Sequence, residues 1–186
     1  MAIFENSMNI LMGLEFSSSS NALEKNDTEN GYTYMGIYQT ANPSWDGWDI
    51  INQFMANNDG EPLRDISKKL YAINDLTEKV YDFYFAMFWK PYRLSEIEAQ
   101  HKADELFVFG CNAGMKRAIK CAQDLVGVTV DGIIGSQTIQ AINDFDYSLF
   151  DKEFDDKEIE YYKSLVQANP KKSIFLNGWI NRAEAV

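Results

Sequence analysis

The chain has 186 residues, 46% of them hydrophobic and 24% charged, enough for one globular domain or two small ones with a buried core. Twenty-eight acids against 17 bases give a formal net charge of −11, which repels polyanions and argues against nucleic acid or a stable membrane association. Two cysteines, Cys111 and Cys121, and the single histidine His101 cannot supply the three or four ligands of a zinc site, so no metal and no cofactor is expected.

The N-terminus, Met1-Ala2-Ile3-Phe4-Glu5, lacks the basic stretch that opens a secretory signal, and synthesis in the cytoplasm without a signal peptide is expected. From there on, apolar residues recur at intervals of three and four, which is helical periodicity. Phe4, Met8, Leu11 and Glu15 share one face of a first helix that dissolves at Ser17-Ser18-Ser19-Ser20. Residues 21–38 are polar and read as a loop with at most short strands. After Pro43, the residues Trp45, Trp48, Ile51 and Met55 mark a helix ended by Asn57-Asn58-Asp59-Gly60. Leu63, Ile66, Leu70 and Ile73 mark the next, and Leu76, Val80, Phe83, Tyr84 and Met87 continue the pattern to Trp89-Lys90-Pro91, where the proline closes it.

Ser95 is a plausible N-cap for a helix over 97–109, and Asn112 opens another that runs to Val126 and is bounded by Gly127. Asp131-Gly132 reads as a turn, and Gly135-Ser136 caps a further helix. The acidic stretch 151–160 is expected to be a solvated face; a helix then runs to Asn169, stops at Pro170, and is followed by a last one over 174–182. No repeat or flexible linker interrupts the chain, so a mainly α fold is expected whose second part packs closely on the first.

Glu15 is the most informative acid. The spacing 4, 8, 11, 15 places it on the apolar stripe at the C-terminal end of its helix. Burial disfavours a carboxylate there, and so does the negative end of the helix dipole, so both favour the protonated form that a general acid needs. The alternative is that the helix ends a residue or two earlier and Glu15 points to water. The loop that follows carries Glu24, Asp27 and Glu29, any of which could be the second carboxylate of a glycosidase. Aromatic residues at element ends, Tyr34 and Trp89, are candidates to stack on a sugar, and Asn112 at a helix start is a candidate hydrogen-bonding partner for an N-acetyl group or a simple cap.

Glu15, the polar loop with Asp27, and Thr33-Tyr34-Met35-Gly36-Ile37 together resemble the N-terminal motif of glycoside hydrolase family 108, a family of N-acetylmuramidases. Phe88-Trp89-Lys90-Pro91 and Phe107-Val108-Phe109-Gly110-Cys111-Asn112-Ala113-Gly114 are similar to later segments of the same family. Gly127-Val128 and Asp131-Gly132-Ile133-Ile134-Gly135, with Phe175-Leu176-Asn177-Gly178-Trp179, resemble its peptidoglycan-binding part. Phe16-Ser17-Ser18-Ser19 stands where the family has Gly-Gly-Tyr after its Glu.

The resemblance implies a lysozyme-like helical bundle with a polar active-site loop after the first helix, a muramidase part over 1–105 and an integrated peptidoglycan-binding helical part over 106–186. It implies hydrolysis of the β-1,4 bond between N-acetylmuramic acid and N-acetylglucosamine. Glu15 would protonate the leaving oxygen, Asp27 would stabilise the oxocarbenium-like transition state or activate water, and Thr33 would position that water. Peptidoglycan glycan strands are the implied partner. A phage endolysin or prophage-derived enzyme would reach the wall in the periplasm through a holin or another export system. A non-catalytic peptidoglycan-binding or secretion-associated protein on the same fold is the other reading, favoured by the residues that follow Glu15.

Overall fold

A computed structural model describes residues 1–25 and 30–186. The fold is mainly α: among the described residues there are nine α-helices and three two-residue strands. Two compact units are distinguished, one formed by Leu11–Ala86 and the other by Met1–Ile10 with Met87–Val186. Helix α1 (Phe4–Glu15) begins in the second of these and ends in the first. Its stripe is as the spacing predicts, with Phe4, Met8 and Leu11 all buried.

The Leu11–Ala86 unit holds strands β1 (Leu23–Glu24), β2 (Thr33–Tyr34) and β3 (Ile37–Tyr38) in one antiparallel sheet of order β1-β2-β3. A two-residue turn, Met35-Gly36, joins β2 to β3, and both residues have positive φ, 45° and 77°. Such primed turns match the twist of a hairpin, but a non-glycine residue pays for one in strain. Met35 is held there by two hydrogen bonds and by burial: its N–H donates to Ala22 O at 2.8 Å, its carbonyl accepts from the Tyr84 hydroxyl at 2.9 Å, and its side chain is buried.

Helices α2 (Gly47–Asn57), α3 (Leu63–Tyr71) and α4 (Asn74–Tyr84) complete the unit. They bury Trp48, Ile51, Ile66, Leu70, Leu76 and Val80, the residues of the sequence stripes. Trp45 stacks on Tyr34 and meets Trp48 and Phe83 edge-on. The indole N–H groups of Trp45 and Trp48 donate to the carbonyls of Lys79 and Asn42, so neither is buried unsatisfied. The helical pattern past Tyr84 is a π turn, Phe85–Trp89, and then two 3₁₀ turns, Lys90–Tyr92 and Leu94–Glu96. Ser95 therefore caps no helix; its hydroxyl accepts the Trp89 indole N–H at 2.7 Å.

In the other unit, α5 (Gln100–Ala113) is buried on all sides, with every residue from Lys102 to Gly110 inside. Phe4 and Phe107 pack edge-on against Trp89 and each other. Asp104 accepts hydrogen bonds from Ser7 and Gln100, which fixes the start of α1 on α5. The chain turns at Gly114, with φ of 92°, into α6 (Met115–Leu125). A Cβ at Gly110 would run into the Met115 sulfur, so glycine is what lets α6 fold back so closely. The helix break thus falls three to four residues later than the sequence suggests, and Asn112 lies at the end of α5 instead of at a helix start.

Helices α7 (Ser136–Asp144), α8 (Tyr147–Ala168) and α9 (Ser173–Ala183) follow. Buried Lys102 donates to the carbonyls of Ile142 and Phe145, each at 2.7 Å, and so supplies a cation and donors to the C-terminal end of α7. Gln123 donates to Asp131 and to Thr138 and accepts from Gly132 N–H, locking the turn between α6 and α7. The acidic stretch 151–160 is a solvated face only in part: Asp151, Asp156 and Glu160 are exposed, while Glu158 is buried. It lies within α8, whose buried side is Phe150, Phe154, Glu158 and Tyr162.

Candidate active site

Glu15 is the last residue of α1 and is partly buried, so the helix does reach it. Its neighbour Phe16 ties that helix end to the sheet. The Phe16 N–H continues the helical bonding to Met12 O, its carbonyl accepts from the Tyr71 hydroxyl at 3.3 Å, and its ring packs against Tyr84. A Cβ on Gly36 would meet the Phe16 ring at 3.4 Å and the Tyr84 hydroxyl at 2.5 Å. The end of α1 and the β2–β3 turn are therefore joined through one aromatic cluster, which sets Glu15 one residue from a ring that touches the hairpin.

Within the sheet, residues directly opposite one another share a face. Tyr34 pairs with Leu23 and Ile37 on the buried face, and Thr33 pairs with Glu24 and Tyr38 on the open one. Thr33 is partly buried and Glu24 exposed, so a hydroxyl and a carboxylate from the polar loop stand side by side. Asp27 and Glu29, the other acids expected from this loop, lie outside the described residues.

Two expected sugar-stacking residues are corrected. Tyr34 and Trp89 are wholly buried, at 0% exposure each, so neither offers a ring face to a ligand. Tyr34 stacks on Trp45, and burial pushes its phenol above the ordinary value, with Tyr71 adding to the effect; among the described residues its hydroxyl has no hydrogen-bond partner. Their position at element ends suggested access, but each closes over a core. Asn112 is exposed, and its amide donates to Val108 O at 3.2 Å. His101 is partly buried with its ring edge-on to Tyr147, and burial pushes the Cys121 thiol up to about 11, which disfavours its thiolate.

The most perturbed acids among the described residues, Glu105 and Glu158, are not among the candidates expected from the sequence. Glu105 on α5 is 1% exposed, and among the described residues neither of its carboxyl oxygens reaches hydrogen-bond geometry with a partner. Burial first, then the fields of Glu158, Asp155 and Asp151, with a poorly aligned approach to the Asp151 carboxyl, push Glu105 up to about 11. Burial and Asp155 push Glu158 up to about 9, against the opposing pull of Arg182. Asp155 rises to about 7, from burial and then Asp151, Glu184 and Asp156.

A cavity of about 440 Å³ in the Leu11–Ala86 unit is lined by Ser20, Asn21, Leu23, Glu24, Lys25, Leu63 and Arg64. It places Glu24 at a concave polar surface. A second cavity, about 260 Å³, lies in the other unit against Ala113, Gly114, Lys116, Arg117, Lys120 and Tyr161.

The family described as glycosyl hydrolase 108 matches residues 22–114, which is half of the chain. A second family, described as "Predicted Peptidoglycan domain", matches residues 117–184. Among solved structures, one titled "Structure of Brucella abortus SagA" is similar, with 20% identity, a TM-score of 0.63, and coverage of 98% of this chain and 91% of that one. At that identity the likeness is one of fold. No curated protein matches the chain.

Proposed function

Since the chain belongs to glycosyl hydrolase family 108, we propose that it is an N-acetylmuramidase that hydrolyses the β-1,4 bond between N-acetylmuramic acid and N-acetylglucosamine in peptidoglycan. Glu15 is the general acid. It gives its proton to the glycosidic oxygen as the bond to the anomeric carbon breaks, and positive charge develops on the sugar. Asp27 is the second carboxylate, facing that charge or taking a proton from water, and Thr33 orients the water with its hydroxyl. Water supplies the hydroxyl of the new reducing end.

The observation that carries this reading is the tethering of Glu15, at the end of α1, to the β2–β3 turn through Phe16, Gly36 and Tyr84. Partial burial gives the acid a less aqueous setting, and its place at a helix terminus keeps it within reach of a ligand. The segment that matches a peptidoglycan family supports the substrate. The enzyme would act on the wall after leaving the cytoplasm, as a phage endolysin does through a holin, or by another export route.

A second reading rests on a specific observation: the match to the hydrolase family begins at residue 22, after Glu15, where Phe16-Ser17-Ser18-Ser19 replaces Gly-Gly-Tyr. On that reading the chain binds peptidoglycan without cutting it. Incubation with purified sacculi, borohydride reduction and identification of the reduced sugar separates the two. New muramic-acid reducing ends that vanish in Glu15→Gln support hydrolysis. Sacculus binding with no new ends supports the second reading.

A further inference from the structure

We propose that the cleft formed by Ala113, Gly114, Lys116, Arg117, Lys120 and Tyr161 is a carboxylate-binding site that takes a free carboxylate of peptidoglycan, from a stem peptide or from the lactyl group of muramic acid. The choice of peptidoglycan rests on the proposed function; the choice of an anion rests on the cleft itself.

The cleft stands out by charge. In a chain of net charge −11, three of its lining residues are cationic and none is acidic. The other cavities described each include at least one Asp or Glu. Among the described residues, Lys116, Arg117 and Lys120 enter no ion pair, while Lys157 on the neighbouring helix is taken by Asp124 at 2.5 Å. Asp131 is the acid whose charge Lys120 shares, and its carboxylate is already committed to Gln123 and to the Ile133 N–H.

Two further features prepare the site. The Arg117 guanidinium lies over the Tyr161 ring, 4.9 Å from its centroid, which holds a long side chain in place before any ligand arrives and reduces the entropy lost on binding. The cleft also opens at the N-terminal end of the 11-residue helix α6, whose N-cap is Gly114. A glycine there offers no side-chain oxygen to the Met115 and Lys116 amides, while the Arg117 N–H donates to the Gly114 carbonyl at 2.8 Å, so the positive end of the helix dipole lies beside the three cations. Planar donors, point charges and backbone amides converging on a small cleft suit a carboxylate.

The test is calorimetric titration of the full chain at about 50 mM NaCl with three probes: a free stem tetrapeptide, the disaccharide N-acetylglucosaminyl-N-acetylmuramic acid, and uncharged chitotetraose. Wild type is expected to bind at least one of the two carboxylate probes. Lys116→Gln/Arg117→Gln is expected to weaken that binding about tenfold or more, the effect of losing one charge-assisted hydrogen bond, and to leave chitotetraose binding unchanged. The probe that loses affinity identifies which carboxylate the cleft takes. Both substitutions are at exposed positions, and an unchanged melting temperature verifies the fold. Equal affinities in wild type and variant, or no carboxylate binding by wild type at millimolar concentration, overturn the proposal. Neither outcome bears on the release of reducing ends, so failure here is distinct from failure of the muramidase reading.

Discussion

Glu105 makes a quantitative test of the interior of the α5–α8–α9 unit. Its ordinary value of 4.5 is raised to about 11, so the folded state keeps it protonated across the physiological range while the unfolded chain ionises it. Stability from a group raised in this way is fully present below about pH 4.5 and is lost progressively as pH rises towards the folded value. Each pH unit in that window costs roughly 1.4 kcal/mol per group, so by pH 7 Glu105 costs at most about 3 kcal/mol. Glu158, raised to about 9 and facing Asp155 and Arg182, adds a similar ceiling over the same interval. Glu105→Leu removes the titration and replaces an acid without partners by an apolar side chain of similar size. For a chain of this length about 1 kcal/mol corresponds to about 2–4 °C in melting temperature. The variant should therefore gain on wild type by roughly 3–6 °C for each pH unit between pH 5 and pH 8. Thermal melts followed by near-ultraviolet circular dichroism at four pH values measure this. Parallel curves for the two proteins would show that Glu105 is already ionised in the folded state and would refute the reasoning.

Three other outcomes are expected. Lys102→Met strips one buried and one partly buried carbonyl at the end of α7 of their donor and should cost about 2–4 kcal/mol, read as a melting temperature lower by roughly 5–15 °C; an unchanged midpoint contradicts the capping role. Gly36→Ala forces a Cβ onto the Tyr84 hydroxyl at a φ of 77° and should cost about 2–3 kcal/mol with altered near-ultraviolet signal, since the hairpin cannot keep both its turn and its bond from Tyr84 to Met35. On purified sacculi, Glu15→Gln should lower kcat at least ~100-fold, Asp27→Asn at least ~10-fold, and Glu24→Gln by less than ~3-fold; if Glu24→Gln is the worse of the last two, the second carboxylate is the one opposite Thr33.

Periodicity made the helices legible because most of them bury one stripe, and Phe4, Met8, Leu11 in α1 or Leu63, Ile66, Leu70 in α3 state it openly. Helix ends were harder. The break at Gly114 depends on Gly110 giving room to Met115, a contact between helices that no local pattern encodes. The buried acids of α8 carried a readable signal: Phe150, Phe154, Glu158 and Tyr162 follow one another at intervals of four, the same logic that singled out Glu15. Charge density hid it. Glu105 had no such signal, because α5 is buried all round and leaves no polar face to contrast with. Access was the least legible property, as Tyr34 and Trp89 show: both end an element, and both are covered by aromatic neighbours brought from elsewhere in the chain.

Strongly shifted acids in a structure usually direct attention to a catalytic site. In this chain that criterion alone would select Glu105 and Glu158. Access decides against them. At 1% and 3% exposure they cannot touch a sugar, and a proton they hold has no path to a glycosidic oxygen without opening the helices around them. Their protonation is a property of the fold's stability and of its dependence on pH. Glu15 occupies an equivalent place on an apolar stripe but at the last residue of its helix, where the polar loop begins and burial is only partial. Partial burial at the helix end leaves this residue accessible where the two buried acids are not. A general acid must reach its substrate as well as hold a proton, which is why the proposed function assigns that role to Glu15 and not to Glu105 or Glu158.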